Sequence, residues 1–454
     1  VDPEVEVAMP YNHQPRVLVV GLGSSGVAAA RLAAADGSEV WATDLHSASE
    51  LGKELAALGG DVRTFLGGHP DNCLEGVRLV IASPGVPADA PLLESARKRG
   101  IEINTEIEFA WLHRPHAEFV AVTGSNGKST VTELTAQMLI AAGRSTVAGG
   151  NLGTPASQLV LEGGWESWVL EISSFQAELL TAMAPRVAVF LNLSQDHLER
   201  HPDLDTYFAA KERLFAFQTD ADTAVLNADD PMVAATRTAA CKRKFSISGP
   251  ADALLEGEDL VIDGEPIMRS SKMRLSGIHN VANALAAALA AAALGAPPAA
   301  MATALETFGG LQHRHRTVHT EDGVSWIDDS KATNVGATLA ALRGYPDNSL
   351  HLILGGQAKG QDFEILVDEV RRAVTRLYLI GEDGPAIAET LAGTAPTEDC
   401  ETLAEAVRRA RRHAASGEWV LLAPACASFD QFTNYGERGD RFADLARQEV
   451  VPCP

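Results

Sequence analysis

The residues best equipped for chemistry in this chain form a glycine-rich loop, T-G-S-N-G-K-S-T, at residues 123–130. Gly124 and Gly127 allow backbone N–H groups to face an anion, Lys128 can reach the β and γ oxygens of a nucleoside triphosphate, and the Ser129 hydroxyl can hold Mg²⁺. The spacing departs from G-x-x-x-x-G-K, which would need glycine where Val122 stands. A lysine at a helix start opposes the helix dipole unless an anion is present, so the loop reads as a phosphate site rather than a packing feature. Polar groups suited to a metal-bound nucleotide follow at predicted strand ends. Glu171 closes W-V-L-E, and Asp196 and His197 lie in N-L-S-Q-D-H. Ligands gather at such strand ends in open α/β sheets.

A second glycine loop, G-L-G-S-S-G, places Gly21, Gly23 and Gly26 between a predicted strand and helix, with Asp44 at the end of the next strand. That setting suits a dinucleotide or another diphosphate ligand equally, and tight helix-on-strand packing is the remaining reading. Three polar clusters follow predicted strands near the C-terminus. They are Asp329, Ser330, Lys331, Thr333 and Asn334; then Gly355, Gly356 and Lys359; then Ser428, Asp430, Gln431 and Tyr435. Lysines and hydroxyls converging on one crevice suit a small dicarboxylate. Lys211, in a predicted helix over 207–215 with aromatic and alanine neighbours, reads as a solvated lysine. Asn283, inside an alanine-rich helix starting near 280, needs a hydrogen-bond partner, either an adenine or backbone.

The elements that must position these groups are legible as short β-branched runs alternating with helical patterns. Strands are expected at 16–20, 40–43, 78–82, 119–122, 168–171, 187–191, 325–328, 351–354, 377–380 and 419–422, with a hairpin insertion near 248–265. Repeated βα units predict an α/β fold with parallel sheets and right-handed crossovers. The polar stretch around Pro115 and the Gly309-Gly310 pair divide the chain into expected domains at 1–112, 113–311 and 312–454. A length of 454 residues matches about three domains at roughly 150 residues each.

Composition narrows the partners. A formal net charge of −23 argues against nucleic acid and anionic membranes, so any bound anion must be held locally. Five cysteines without C-x-x-C pairs read as reduced thiols. The start of the chain shows no secretory pattern, and the apolar stretch 281–295 is too alanine-rich and short for a membrane span. A cytoplasmic protein is expected.

Taken together, T-G-S-N-G-K-S-T, E-I-S-S-F-Q, N-L-S-Q-D-H, G-I-H-N-V-A-N-A-L-A, I-D-D-S-K-A-T-N and A-P-A-C-A-S-F-D-Q-F resemble the Mur ligases over about residues 16–447. The resemblance implies a Rossmann-like N-terminal domain for UDP, a central P-loop ATPase domain with a parallel sheet, and a Rossmann-like C-terminal domain for an amino acid. It implies ATP-driven amide formation in peptidoglycan precursor synthesis, with UDP-N-acetylmuramoyl-L-alanine, D-glutamate and ATP as substrates and an acyl phosphate as intermediate. It places Ser24, Ser25 and Gly26 on the UDP diphosphate, Asp44 near the uracil, Gly85 close to the nucleotide, and Asn151 and His197 at the sugar-peptide end. Gly124, Ser125, Asn126, Gly127, Lys128, Ser129 and Thr130 are implied to hold ATP, with Asn283, Arg314, Asp329 and Lys331 at further nucleotide positions. Two Mg²⁺ sites, which Mn²⁺ could fill, are implied for Ser129, Glu171, His197 and a carbamylated Lys211, so that Lys128, His197 and Lys211 form the catalytic set. Thr333, Lys359, Ser428, Phe429 and Tyr435 match a D-glutamate pocket. A monomer is expected.

Overall fold

The run Arg16–Val20 (R-V-L-V-V) is buried from its second residue onward, as a central strand of a parallel sheet must be. It ends at Gly21, whose φ of +86° turns the chain into helix Ser24–Ala35. The structure is a computed structural model and describes residues 16–59, 62–151, 153–194, 200–275, 277–358 and 361–448. Arg16–Val20 lies between Glu39–Asp44 and Val77–Ala82 in a five-stranded parallel sheet flanked by Arg63–Leu66 and Glu102–Thr105. Strand order reverses beside Arg16–Val20, which opens a crevice at its carboxyl end.

A second sheet of nine strands carries Val187–Phe190, Glu118–Thr123 and Ser167–Glu171 side by side, with Thr146–Gly150 at the edge beyond them. Most of it is parallel, and the expected insertion forms the antiparallel run Ala253–Glu256, Asp259–Ile262 and Glu265–Arg269 at one edge. Helices Lys128–Ala141 and Ile278–Ala293 pack together over one face. Six alanines of the latter, from Ala284 to Ala291, are fully buried, and their small side chains let the helix lie close. This helix carries no Asp, Glu, Lys or Arg, yet no described helix is long and apolar enough to cross a membrane.

The two sheets share a core, with Val17, Val19 and Ile81 in one cluster with Phe119 and Trp168, and the described residues up to Phe308 form one compact unit. Helix Glu106–Leu112 ties them through carboxylates. Glu108 accepts from the backbone N–H groups of Thr181 at 2.9 Å and Met183 at 2.8 Å. Glu106 accepts from Ser157 N–H at 2.6 Å, while its other oxygen is buried with no hydrogen-bond partner among the described residues.

Burial pushes the Glu106 carboxyl up to about 7, against an ordinary 4.5. Between pH 4.5 and 7 the native chain therefore keeps a proton that the unfolded chain has lost. The associated stability, up to about 3 kcal/mol, is complete below the unfolded value and is lost as pH rises through the folded one. Glu106→Gln retains an acceptor for Ser157 and removes the ionisation. Calorimetry should then find a smaller drop in melting temperature between pH 5 and 8 than in the parent protein. Equal drops would contradict this assignment.

The described residues from Gly309 onward form the second unit, built on six strands in the order Arg316–Glu321, Val324–Asp328, Trp419–Leu422, Leu350–Gly355, Val374–Ile380 and Thr397–Glu401. Only the first pair is antiparallel. Its hydrophobic clusters lie on the two faces of this sheet, around Leu352 and Leu421 on one side and Trp326 and Phe442 on the other.

Candidate active site

The glycine loop joins strand Glu118–Thr123 to helix Lys128–Ala141, with Gly124 at φ +149° and Gly127 at φ +84°. A Cβ on Gly127 would overlap the Asn283 side-chain oxygen, so this amide lies directly against the loop. Residues 191–194 hold the other side. Asn192 accepts from Asn126 N–H at 2.8 Å and donates to Asn126 O at 3.0 Å, and Ser125 exchanges hydrogen bonds with Ser194 at 2.9 Å. Asn192 opens the N-L-S motif but carries no further signal in the sequence. A side-chain amide pairing reciprocally with backbone is visible only once the strands are in register.

Lys128 Nζ donates to Gly124 O and Ser125 O, each at 2.8 Å, so the ammonium is folded over its own loop. The Ser129 hydroxyl is in contact with a Glu171 carboxylate oxygen, and the other oxygen of Glu171 accepts from Asn151 Nδ2 at 2.6 Å. Ser129 and Glu171 are buried. Lys211 departs from the sequence-based expectation: it is 1% exposed rather than solvated, because helix Leu204–Glu212 turns its last residues inward. Its Nζ donates to Gly124 O at 3.0 Å and lies 4.5 Å from the Tyr207 ring centre. Lys128, Ser129, Glu171 and Lys211 thus meet at one loop. His197 lies outside the described residues.

A cleft of about 960 Å³ opens at the carboxyl end of the five-stranded sheet. It is lined by Ser24, Ser25, Asp44, Gly85 and Asn151, all expected to face one ligand. Gly26 works from behind: a Cβ there would overlap Gly21 O, so only glycine lets the helix start this close to the loop. Asp44 Oδ2 accepts from Leu22 N–H at 2.6 Å, and Oδ1 from His46 N–H at 2.8 Å. Burial alone would raise the Asp44 carboxyl, but these backbone donors outweigh it and hold it below its usual range. Arg200, which belongs to none of the sequence motifs, pairs with Glu178 and donates to Val86 O at 2.9 Å, fastening the cleft wall to the central sheet.

In the second unit Arg438 is 1% exposed and joins two of the three clusters. Its guanidinium donates to Ser330 Oγ and Ser330 O, both at 2.9 Å, and to Cys426 O at 3.1 Å. Lys331 Nζ lies 4.0 Å from the Tyr435 ring centre, and Gln361 donates to Ala425 O at 3.0 Å and Thr333 O at 3.4 Å. Ala425 holds φ +55°, the left-handed region a side chain seldom adopts, where A-P-A-C-A-S turns off its strand. Ser428 Oγ is buried and meets no hydrogen-bond partner among the described residues. Phe429 is 62% exposed. Asp329 Oδ1 accepts from His315 N–H at 3.2 Å and so shapes the turn bearing Arg314. Lys359 lies outside the described residues.

Three family models match the chain: Mur ligase MurD-like, N-terminal domain at residues 15–105, Mur ligase middle domain at 122–291, and Mur ligase, glutamate ligase domain at 313–426. The UDP-N-acetylmuramoylalanine--D-glutamate ligase of Anaeromyxobacter dehalogenans is 44% identical over 98% of this chain and 100% of its own. That of Solibacter usitatus is 41% identical over 95% and 97%. Among solved structures, MurF from Acinetobacter baumannii superposes with a TM-score of 0.63 at 18% identity, covering 95% of this chain and 93% of its own. MurC from Thermotoga maritima gives 0.59 at 19% identity over 95% and 99%. These two share the three-domain α/β fold.

Proposed function

The chain belongs to the Mur ligase family, and from that premise we propose that it joins D-glutamate to UDP-N-acetylmuramoyl-L-alanine, converting ATP to ADP and phosphate. It is an ATP-dependent amide-forming ligase of peptidoglycan precursor synthesis. The observation that carries the chemistry is the meeting of Lys128, Ser129, Glu171 and Lys211 around one phosphate loop, beside a cleft large enough for a nucleotide-linked sugar.

The substrate carboxylate attacks the γ-phosphorus of ATP, the bond to the β-phosphate oxygen breaks, and an acyl phosphate forms. The amine of D-glutamate then attacks the acyl carbon, phosphate leaves, and the amine loses a proton. Lys128 neutralises charge on the transferred phosphoryl group, and the N–H groups of residues 124–130 fix the phosphates in line. Asn283 borders the loop at Gly127, and Arg314, Asp329 and Lys331 are read as further nucleotide-binding residues by the family resemblance. Ser24, Ser25 and Gly85 take the uridine diphosphate, Gly26 and Asp44 shape the loops around it, and Asn151 and His197 take the sugar-peptide end. Thr333, Lys359, Ser428, Phe429 and Tyr435 hold D-glutamate, with the buried Ser428 hydroxyl, which has no partner among the described residues, suited to one of its carboxylates.

Mg²⁺ fits the donor set. Ser129 Oγ and Glu171 already touch, and Mg²⁺ favours one or two carboxylates completed by phosphate oxygens and water. Ser129 and Glu171 would hold one ion, and His197 with a carbamylated Lys211 a second, each supplying charge neutralisation on the phosphates. A carbamate at Lys211 would replace a buried ammonium by oxygen donors.

Phosphate release with ATP, Mg²⁺ and UDP-N-acetylmuramoyl-L-alanine is expected to depend on D-glutamate and not on L-glutamate, L-alanine or L-lysine. Release driven by another amino acid would keep the chemistry and change the substrate. No release with any amino acid would overturn the assignment.

A further inference from the structure

His69 lines the same cleft as Asp44 and His46, and neither its sequence context nor the family resemblance gives it a role. The chain around it is bound to the loop after Glu39–Asp44: Gly67 N–H donates to His46 O at 2.9 Å and Gly68 N–H to Asp44 O at 3.2 Å. Thr43, fully buried, has its hydroxyl 2.8 Å from His69 Nδ1 and 3.3 Å from Gly68 O. One arrangement uses every group: Nδ1–H donates to Thr43 Oγ1, and the hydroxyl proton goes to Gly68 O. In that relay arrangement Nε2, on the ring edge away from Thr43, is a bare acceptor with no partner among the described residues. Burial holds the ring below its usual pKa against the opposing pull of Asp44, which keeps it neutral at pH 7.

Asp44, the obvious reader of a nucleoside, has its oxygens engaged by Leu22 N–H and by the N–H and ring nitrogen of His46, so it organises the loops. We propose that His69 Nε2 is the base-reading group of the cleft, accepting a hydrogen bond from the imide N3–H of uracil. Cytosine carries a lone pair at N3 and would set two acceptors against each other, so His69 selects uridine over cytidine nucleotides. The inference rests on the uridine-diphosphate reading of the cleft.

The test is calorimetric titration of the full chain with UDP and with CDP. The parent protein should bind UDP more tightly. His69→Phe, which keeps a ring and removes the acceptor, should weaken UDP about tenfold and CDP little, erasing the preference. His69→Gln should restore part of it. Thr43→Val, which keeps the volume and breaks the relay, should narrow the UDP-to-CDP ratio with the imidazole still present. An unchanged ratio in His69→Phe, or equal weakening of both nucleotides, would overturn base reading by this residue. A parent protein that binds UDP but shows no preference over CDP would overturn it too. A parent protein that binds neither nucleotide would instead remove the uridine reading of the cleft.

Discussion

Lys128→Ala is expected to cut turnover roughly 10³-fold or more, the scale on which one preorganised charge stabilises a transition state in a water-poor site. The cost should fall on the chemical step, because the ammonium already sits on the carbonyls of Gly124 and Ser125 and has little to reorganise when phosphate arrives. Fold stability should change little or improve, since a cation at the first residue of helix Lys128–Ala141 opposes the dipole in the ligand-free chain. Rapid-quench measurement of phosphoryl transfer, together with a thermal melt, separates the two effects. Near-normal transfer in a folded variant would remove the loop from the reaction.

Lys211→Ala is expected to lose about 10²- to 10³-fold in turnover and to recover part of it on addition of acetate or formate. The argument begins from burial. An ammonium that is 1% exposed and hydrogen-bonded to Gly124 O would repel a cation bound to Ser129 and Glu171, whereas a carbamate in the same space would supply oxygens. A small carboxylate can fill the space the truncated side chain leaves. Lys211→Arg should be as inactive as the alanine variant and resist rescue, because a guanidinium forms no carbamate and blocks the vacancy. Activity of Lys211→Ala that carboxylates leave unchanged would sink the carbamate and reduce Lys211 to a strut beneath the loop.

The strands that carry the site are legible in the sequence because they are buried on both faces. R-V-L-V-V, W-V-L-E and H-L-I-L are continuous apolar runs of the kind a central parallel strand requires, and their ends place Gly21, Glu171 and Gly355. Edge strands are illegible for the converse reason. Thr397–Glu401 is T-E-D-C-E, with one buried residue, and Thr146–Gly150 ends in two glycines, so neither carries a hydrophobic period. The burial of Lys211 has no sequence signal because alanine and aromatic neighbours on a helix do not say which face is covered. Arg438 is equally silent, since buried arginine has no local signature; its partners include Ser330, distant in the chain, and the carbonyl of Cys426.

The sequence by itself determined what depends on local chemistry: glycines at left-handed turns, a lysine at a helix start, carboxylates and hydroxyls at the ends of apolar strands, and the α/β class. These follow from backbone sterics and burial within a few residues. Only the tertiary structure decided which of those groups meet. Asn192 clasps Asn126, Glu171 touches Ser129 and Lys211 reaches Gly124 across separations of 66, 42 and 87 residues, and strand order, not sequence spacing, sets those distances. Burial was decided at the same level, and with it the proton affinities of Glu106, Asp44 and His69, because a charge senses the dielectric and the donors of its whole surroundings.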